Sequence, residues 1–212
     1  MPSSPDGIVD HLVFAVPELE SGVREIERLL GTRAAIGGRH PQFGTHNALL
    51  SLGPATYLEI VAVDPSLPRP ARGRPFGVEA SGLPRLVTWA ARCEAIDARA
   101  AAATDAGLRV GRVESGSRAR PDGTLLSWRL TDPYVMAMDG VIPFLIAWGE
   151  TPHPAVSAPA AGDFVGLRIE HSDPDAIGAA LSSLGASADV HAAARPALVA
   201  TIRVGDRLIE LR

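Results

Sequence analysis

The sequence contains no lysine, so all 20 of its basic residues are arginine. That excludes Schiff-base chemistry, a catalytic lysine and a lysine-bearing phosphate loop. A single cysteine, Cys93, excludes an intramolecular disulfide framework and any multi-cysteine zinc or iron–sulfur centre. It suits a reducing cytoplasm, which is the expected location. There is no basic excess, the formal charge being -4, so nothing is available to collect phosphates and nucleic acid is not an expected partner. No apolar run reaches about 18 residues, and the N-terminus lacks the basic and then apolar order of a secretion signal, so neither a membrane nor export is expected. Neither the Gly-x-Ser-x-Gly elbow nor a dinucleotide-binding glycine fingerprint occurs. Aromatic residues are only 5% of the chain, so Trp89, Trp128 and Trp148 are expected where large apolar area matters, mainly in the core.

What is present is one pattern three times over. The stretch from Ile8 to Val16 alternates, Pro17-Glu18 suits a helix start, and Leu19, Val23, Ile26 and Leu30 follow at helical spacing before a capping Gly31. Extended stretches are predicted near 33–39, 46–52 and 56–63. The order recurs with a strand from Leu86 to Cys93, a helix over 94–106 and strands near 109–114, 124–131 and 142–148. It recurs again with a strand from Phe164 to His171, a helix capped by Ser172-Asp173-Pro174 and ended by Gly185, and strands near 188–191, 197–204 and 207–211. Residues 1–65, 85–149 and 163–212 therefore read as repeated α+β units, joined by Pro-rich linkers at 66–84 and 150–162.

Strand alternation assigns faces. Ile8, Leu12, Phe14 and Val16 fall on one side, and Val9, His11, Val13 and Ala15 on the other. The bulkier side should take the helix. In the fourth extended stretch Leu58, Ile60 and Ala62 match it, which leaves Tyr57, Glu59 and Val61 opposite. If the two strands are neighbours, His11 and Glu59 share the face away from the helix. An imidazole and a carboxylate so placed either ligate a divalent metal or hydrogen-bond each other, and spacing leaves both open.

Several motifs carry a family likeness: Val9-Asp10-His11-Leu12-Val13, Gly37-Gly38-Arg39-His40-Pro41, Gly44-Thr45-His46-Asn47-Ala48-Leu49 and Tyr57-Leu58-Glu59-Ile60. Later come Trp89-Ala90, Arg120-Pro121-Asp122-Gly123 with Trp128, Pro143-Phe144, Trp148-Gly149 and His153-Pro154. On these the chain resembles the glyoxalase-like branch of the vicinal oxygen chelate superfamily. The resemblance implies βαβββ modules, two of which form a partly closed mixed β-barrel around a small-molecule site, with a third βαβββ-like unit at the C-terminus. It also implies that His11 and Glu59 stand where metal-dependent members place a first-strand histidine and a fourth-strand glutamate. The second module departs from that pattern, offering Val87, Thr88 or Trp89 and Leu145 or Ile146 at the matching places, so a four-ligand glyoxalase I site is not reproduced.

The remaining candidates follow from residue type. His46 could complete a two-histidine, one-carboxylate set suited to iron(II), manganese or zinc, or could simply bond backbone or water. Glu210, in Leu208-Ile209-Glu210-Leu211, could serve as base or third ligand if modules one and three pair, and is otherwise an exposed strand carboxylate. Thr45 and Asn47 offer neutral donors, Tyr57 and Trp128 offer surface, and Arg118 offers a planar fork to an anionic substrate. The Pro121-Asp122-Gly123 run reads as a hairpin turn, and His153, in a Pro-rich linker, has little claim beyond the resemblance. The expected function is a lyase, isomerase or dioxygenase acting on vicinal oxygens, with a divalent metal (Fe, Mn, Zn or Ni) as Lewis acid. The alternative is a metal-free protein that sequesters a small molecule. A homodimer is a further expectation.

Overall fold

A computed structural model describes residues 8–80, 82–119, 123 and 125–212. The N-terminal stretch and the Pro121-Asp122 turn lie outside the described residues. The first unit consists of β1 (Val9–Ala15), α1 (Leu19–Leu30), β2 (Ala35–His40), β3 (Thr45–Ser51) and β4 (Tyr57–Val63). Glu18 caps α1 by accepting from the Glu20 and Ser21 amides, and Gly31 ends it at φ 78, a left-handed conformation that glycine adopts without strain. The second unit is β5 (Arg85–Arg92), α2 (Ile96–Asp105), β6 (Val113–Ala119), β7 (Leu125–Thr131) and β8 (Phe144–Ala147). The strand expected at 109–114 begins only at Val113, after Gly111 turns the chain with φ 69.

These eight strands form one sheet in the order β2-β3-β4-β1-β5-β8-β7-β6. Within each unit the first strand lies parallel to the fourth, β1 on β4 and β5 on β8, and β1 and β5 join the halves antiparallel. The sheet curls until its two edges meet. There Arg118 of β6 donates through Nη1 to the Gly37 carbonyl of β2, giving a mixed barrel that is nearly closed.

The third unit is β9 (Asp163–His171), α3 (Pro174–Leu184), β10 (Asp189–Ala192), β11 (Ala197–Val204) and β12 (Arg207–Leu211). It keeps the same element order but builds its own sheet, β10-β9-β11-β12. Here the first strand sits between the second and third, and the fourth is at an edge. Its apolar face, with Leu167, Ile169, Ala200, Ile202 and Leu211, joins α3, α1, α2 and the outer face of the barrel in one continuous core. Trp89 is buried there and donates its indole N–H to the Val141 carbonyl at 2.8 Å. Among the described residues no helix is long and apolar enough to cross a membrane.

A second core fills the barrel, with Val13, Ala15, Leu49, Tyr57, Val61, Val87, Leu130, Phe144, Ile146 and Trp148. The segments between units contribute to it. Phe76, Val78 and Leu83 pack in from one, and Ala155 and Ala158 from the other. Phe76 is held at φ 59, between Gly73 at φ 80 and Gly77 at φ 64.

Candidate functional site

The alternation that predicts the faces of β1 holds from His11 onward and fails before it. Leu12, Phe14 and Val16 face the helices while Val13 and Ala15 face the barrel. Between Val9 and His11, however, the pairing with β5 shifts register, a bulge that turns two consecutive side chains to the interior. Val9 thus joins the helix-side core, correcting the expectation that it shares a face with His11. Asp10 takes the interior place and is fully buried.

Asp10 is the most heavily bonded group of the site. Its carboxylate accepts from Arg92 Nε at 2.8 Å, from Trp148 Nε1 at 3.1 Å and from His153 Nε2 at 3.1 Å, and it pairs with His11 Nδ1 at 2.8 Å. Burial by itself would raise its pKa. The hydrogen bonds and charge of His11 and His153 outweigh that and hold the carboxyl well below the usual carboxylate range. The histidine of the Pro-rich linker is therefore part of this cluster, and its own pKa is lowered, chiefly by burial and against the pull of Asp10.

On its other side His11 faces Glu59, with Nε2 and Oε2 3.8 Å apart. The imidazole stacks on Tyr57 with ring centres 4.5 Å apart and meets the Phe144 ring edge-on at 5.5 Å. Glu59 accepts a 2.5 Å hydrogen bond from Asn47 Nδ2, which leaves Asn47 Oδ1 buried and without a hydrogen-bond partner among the described residues. These groups line a small cavity, with about 40 Å³ open to the centres of water-sized molecules. The first unit supplies its polar wall (His11, His40, Asn47, Tyr57, Glu59), and the second supplies Leu130, Phe144, Ile146, Trp148, Trp128 and Arg118. Phe43, Leu49 and Phe76 complete the lining.

Titration narrows the possible roles. Burial pushes His40 down to about 4, against the opposing charge of Glu59, so its ring is neutral near pH 7. Burial, followed by the charges of Asp10 and Glu59, raises the Tyr57 phenol well above its ordinary value. Tyr57 is therefore a donor and an aromatic wall, not a base.

Of the residues predicted for the site, His11, Glu59, Asn47, Tyr57, Arg118 and Trp128 come together around this cavity. Thr45 is buried against His40, with Oγ1 3.1 Å from Nδ1, and is not part of the lining. His46 follows the parity of Ala48 and Leu50 on the helix side of β3, so it does not join His11 and Glu59. Glu210 is on β12, exposed and ion-paired with Arg168 at 3.2 Å. Because β11 separates β12 from β9, the third unit cannot reproduce the β1–β4 juxtaposition that joins His11 to Glu59.

A metal shared by His11 and Glu59 would have two protein ligands. Asn47 turns an N–H to Glu59, and the second unit offers apolar side chains, two indoles and the cationic Arg118, none of which is a metal ligand. Among the described residues no group of three or more His, Cys, Asp or Glu side chains is arranged to hold a metal ion. The donor set does not fit a resident three- or four-ligand centre.

Sequence reasoning passed over Asp10, Arg92 and Phe76 as site residues and gave little weight to His40, which flanks the turn before β3 with His46, and to His153. An aspartate inside an apolar strand was a signal for the first; the others converge only through the fold.

A family model described as a glyoxalase-like domain matches residues 9–185. No curated protein matches the sequence. Among solved structures, a hypothetical protein from Staphylococcus aureus is similar over 95% of this chain and 83% of its own, at 13% identity and a TM-score of 0.65. Methylmalonyl-CoA epimerase from Mycobacterium tuberculosis is similar over 70% of this chain and 93% of its own, at 19% identity and a TM-score of 0.46. At such identities the likeness concerns the fold alone.

Proposed function

The chain belongs to the glyoxalase-like domain family of the vicinal oxygen chelate superfamily, and from that premise we propose that it is a small-molecule isomerase or lyase working by proton transfer. The observation that carries this reading is the approach of His11 Nε2 to Glu59 Oε2, 3.8 Å apart, in an enclosed and largely apolar cavity. Two groups able to exchange protons across one small space suit a substrate with oxygens on adjacent carbons. One group takes the proton from the hydroxyl-bearing carbon beside a carbonyl, and the C–H electron pair forms the C=C bond of an enediolate whose charge rests on the former carbonyl oxygen. That proton, passed between the two groups, is returned to the former carbonyl carbon as the hydroxyl proton moves to the neighbouring oxygen. Arg118 and the Asn47 amide stand where charge on an enediolate oxygen would be stabilised.

Among the described residues iron, manganese, zinc or nickel would find His11 and Glu59 but no third His, Cys, Asp or Glu arranged with them, and no step of this reaction runs through a metal. A dioxygenase, which needs an open metal centre with a fuller ligand set, is the less favoured branch. A second reading, a metal-free protein that sequesters an apolar compound, is supported by the walls of Phe43, Phe76, Trp128, Phe144 and Trp148. The proposal extends to a cytoplasmic location and to a homodimer, the latter checked by sedimentation.

The test is deuterium exchange in D₂O, followed by NMR, on a panel of α-hydroxyketones, α-hydroxyaldehydes and 1,2-dicarbonyl compounds with chelator present. Exchange by the wild type, lost at least about 100-fold in His11→Ala and Glu59→Gln, is the expected result. Stoichiometric metal in the purified protein that His11→Ala loses would overturn the metal-free mechanism. No exchange on any compound, with tight uptake of an apolar fluorophore, would leave the sequestering reading in its place.

A further inference from the structure

The bulge in β1 brings Asp10 and His11 into the barrel together, and the donors around Asp10 fix what each histidine can be. We propose that Asp10 is a positioning residue that holds His11 as the Nδ1–H tautomer, with the Nε2 lone pair open to Glu59 and the cavity. This rests on the reading of His11 as a proton-transfer group.

An ionised carboxylate only accepts hydrogen bonds, and every contact of Asp10 obeys that rule. Arg92 and Trp148 are donors by nature. His11 therefore turns a protonated Nδ1 to Asp10 Oδ1 at 2.8 Å, and His153 turns a protonated Nε2 to Oδ2 at 3.1 Å. The second assignment has independent support, since the Ala155 amide donates to His153 Nδ1 at 3.3 Å and marks that nitrogen as the lone-pair side. Free imidazole exchanges between tautomers; this one is held by a carboxylate that three other donors lock in place and that has no exposed surface. The ring is further fixed by its stack on Tyr57. When His11 takes a proton at Nε2, the imidazolium lies between Asp10 and Glu59, so its charge is neutralised without movement of any group. His153 belongs to the same arrangement because it fills the last acceptor position of Asp10.

The test is ¹⁵N NMR of the whole protein labelled at histidine, with His11 and His153 assigned by His11→Gln and His153→Gln. Near neutral pH the expected spectrum shows His11 as Nδ1–H and His153 as Nε2–H. An Nε2–H or mixed His11 overturns the proposal, and this readout needs neither substrate nor an Asp10 variant that folds. Asp10→Asn, where it folds, should lower kcat for the exchange reaction by about 10² to 10⁴ with KM within about threefold, as expected when a base is held in the wrong tautomer. Equal kcat in a folded Asp10→Asn also overturns it. If His11 is Nδ1–H but the wild type exchanges nothing, the proton-transfer reading fails while the tautomer assignment stands.

Discussion

A Cβ added at Gly37 would stand 2.2 Å from Asn47 Oδ1, so the bare backbone of β2 is what lets the Asn47 amide lie flat and reach Glu59. Backbone strain is not the reason for glycine here, because only the space is contested. Gly37→Ala is expected to displace Asn47 and destabilise the protein by about 1–3 kcal/mol. In an Asn47→Ala background the same change should cost much less, giving a coupling of about 1 kcal/mol or more by urea unfolding. Additive costs would mean that Gly37 does not seat Asn47.

Glu210 provides a contrasting case. Its carboxylate is exposed, ion-paired with Arg168 and Arg212, and located on a different sheet from His11. Glu210→Gln should change stability by no more than about 1 kcal/mol and leave exchange kinetics at the wild-type value. A hundredfold loss of exchange would show that the base lies in the third unit after all.

The difference between Glu59 and Glu210 shows how far the sequence could be read. Alternation on two strands was sufficient to put Glu59 beside His11, because β1 and β4 are neighbours. Likeness between the modules offered Glu210 the fourth-strand place, as base or third ligand if modules one and three paired, yet strand order, which periodicity does not encode, puts β12 in a separate sheet with β11 between it and β9. Helix ends were legible because Gly31 and Gly185 are αL caps. The inward place of Asp10 was not, because a bulge inserts one residue into a pairing that strict alternation does not foresee, although an aspartate in an apolar strand is itself a signal. His153 was given little weight and Phe76 none because both lie in aperiodic, Pro-rich segments, and those segments pack against the core that fills the barrel.

Phe76 covers the cavity from one such segment, with its ring 6.0 Å from Phe43 and 5.1 Å from Phe144. With so little open volume, a substrate of more than a few atoms enters only by displacing part of the lining. Phe76→Ala and Phe76→Gly should both admit an apolar fluorophore faster and shift the emission of the Trp128–Trp148 pair, whose rings are 5.7 Å apart. Because residue 76 sits at φ 59, the glycine variant should be the more stable of the two by about 1 kcal/mol. Unchanged uptake in both would show that Phe76 does not cover the entrance.

His40 makes the protein sensitive to acid in a defined window. Its ring is buried, and its pKa falls from 6.5 to about 4 on folding, chiefly through burial, against the pull of Glu59 and with smaller contributions from the charges of Arg118 and His46. Above pH 6.5 the folded and unfolded chains both carry it neutral, and its contribution is constant. As pH falls from 6.5 towards 4, the unfolded chain takes up a proton that the folded one refuses, so stability is lost; below about 4 both are protonated and the slope from this group ends. The whole effect is roughly 3 kcal/mol at most. Asp10 acts in a separate window, because a carboxyl with a depressed pKa contributes stability that is lost only below its unfolded value of 3.8. Urea unfolding of wild type and His40→Gln at about pH 7, 5.5, 4 and 3 separates the two groups. The variant should lose the difference in slope between pH 6.5 and 4 while keeping the steeper loss below 3.8. If wild type and variant fall in parallel from pH 7 to 4, His40 is not the buried neutral group that its surroundings require.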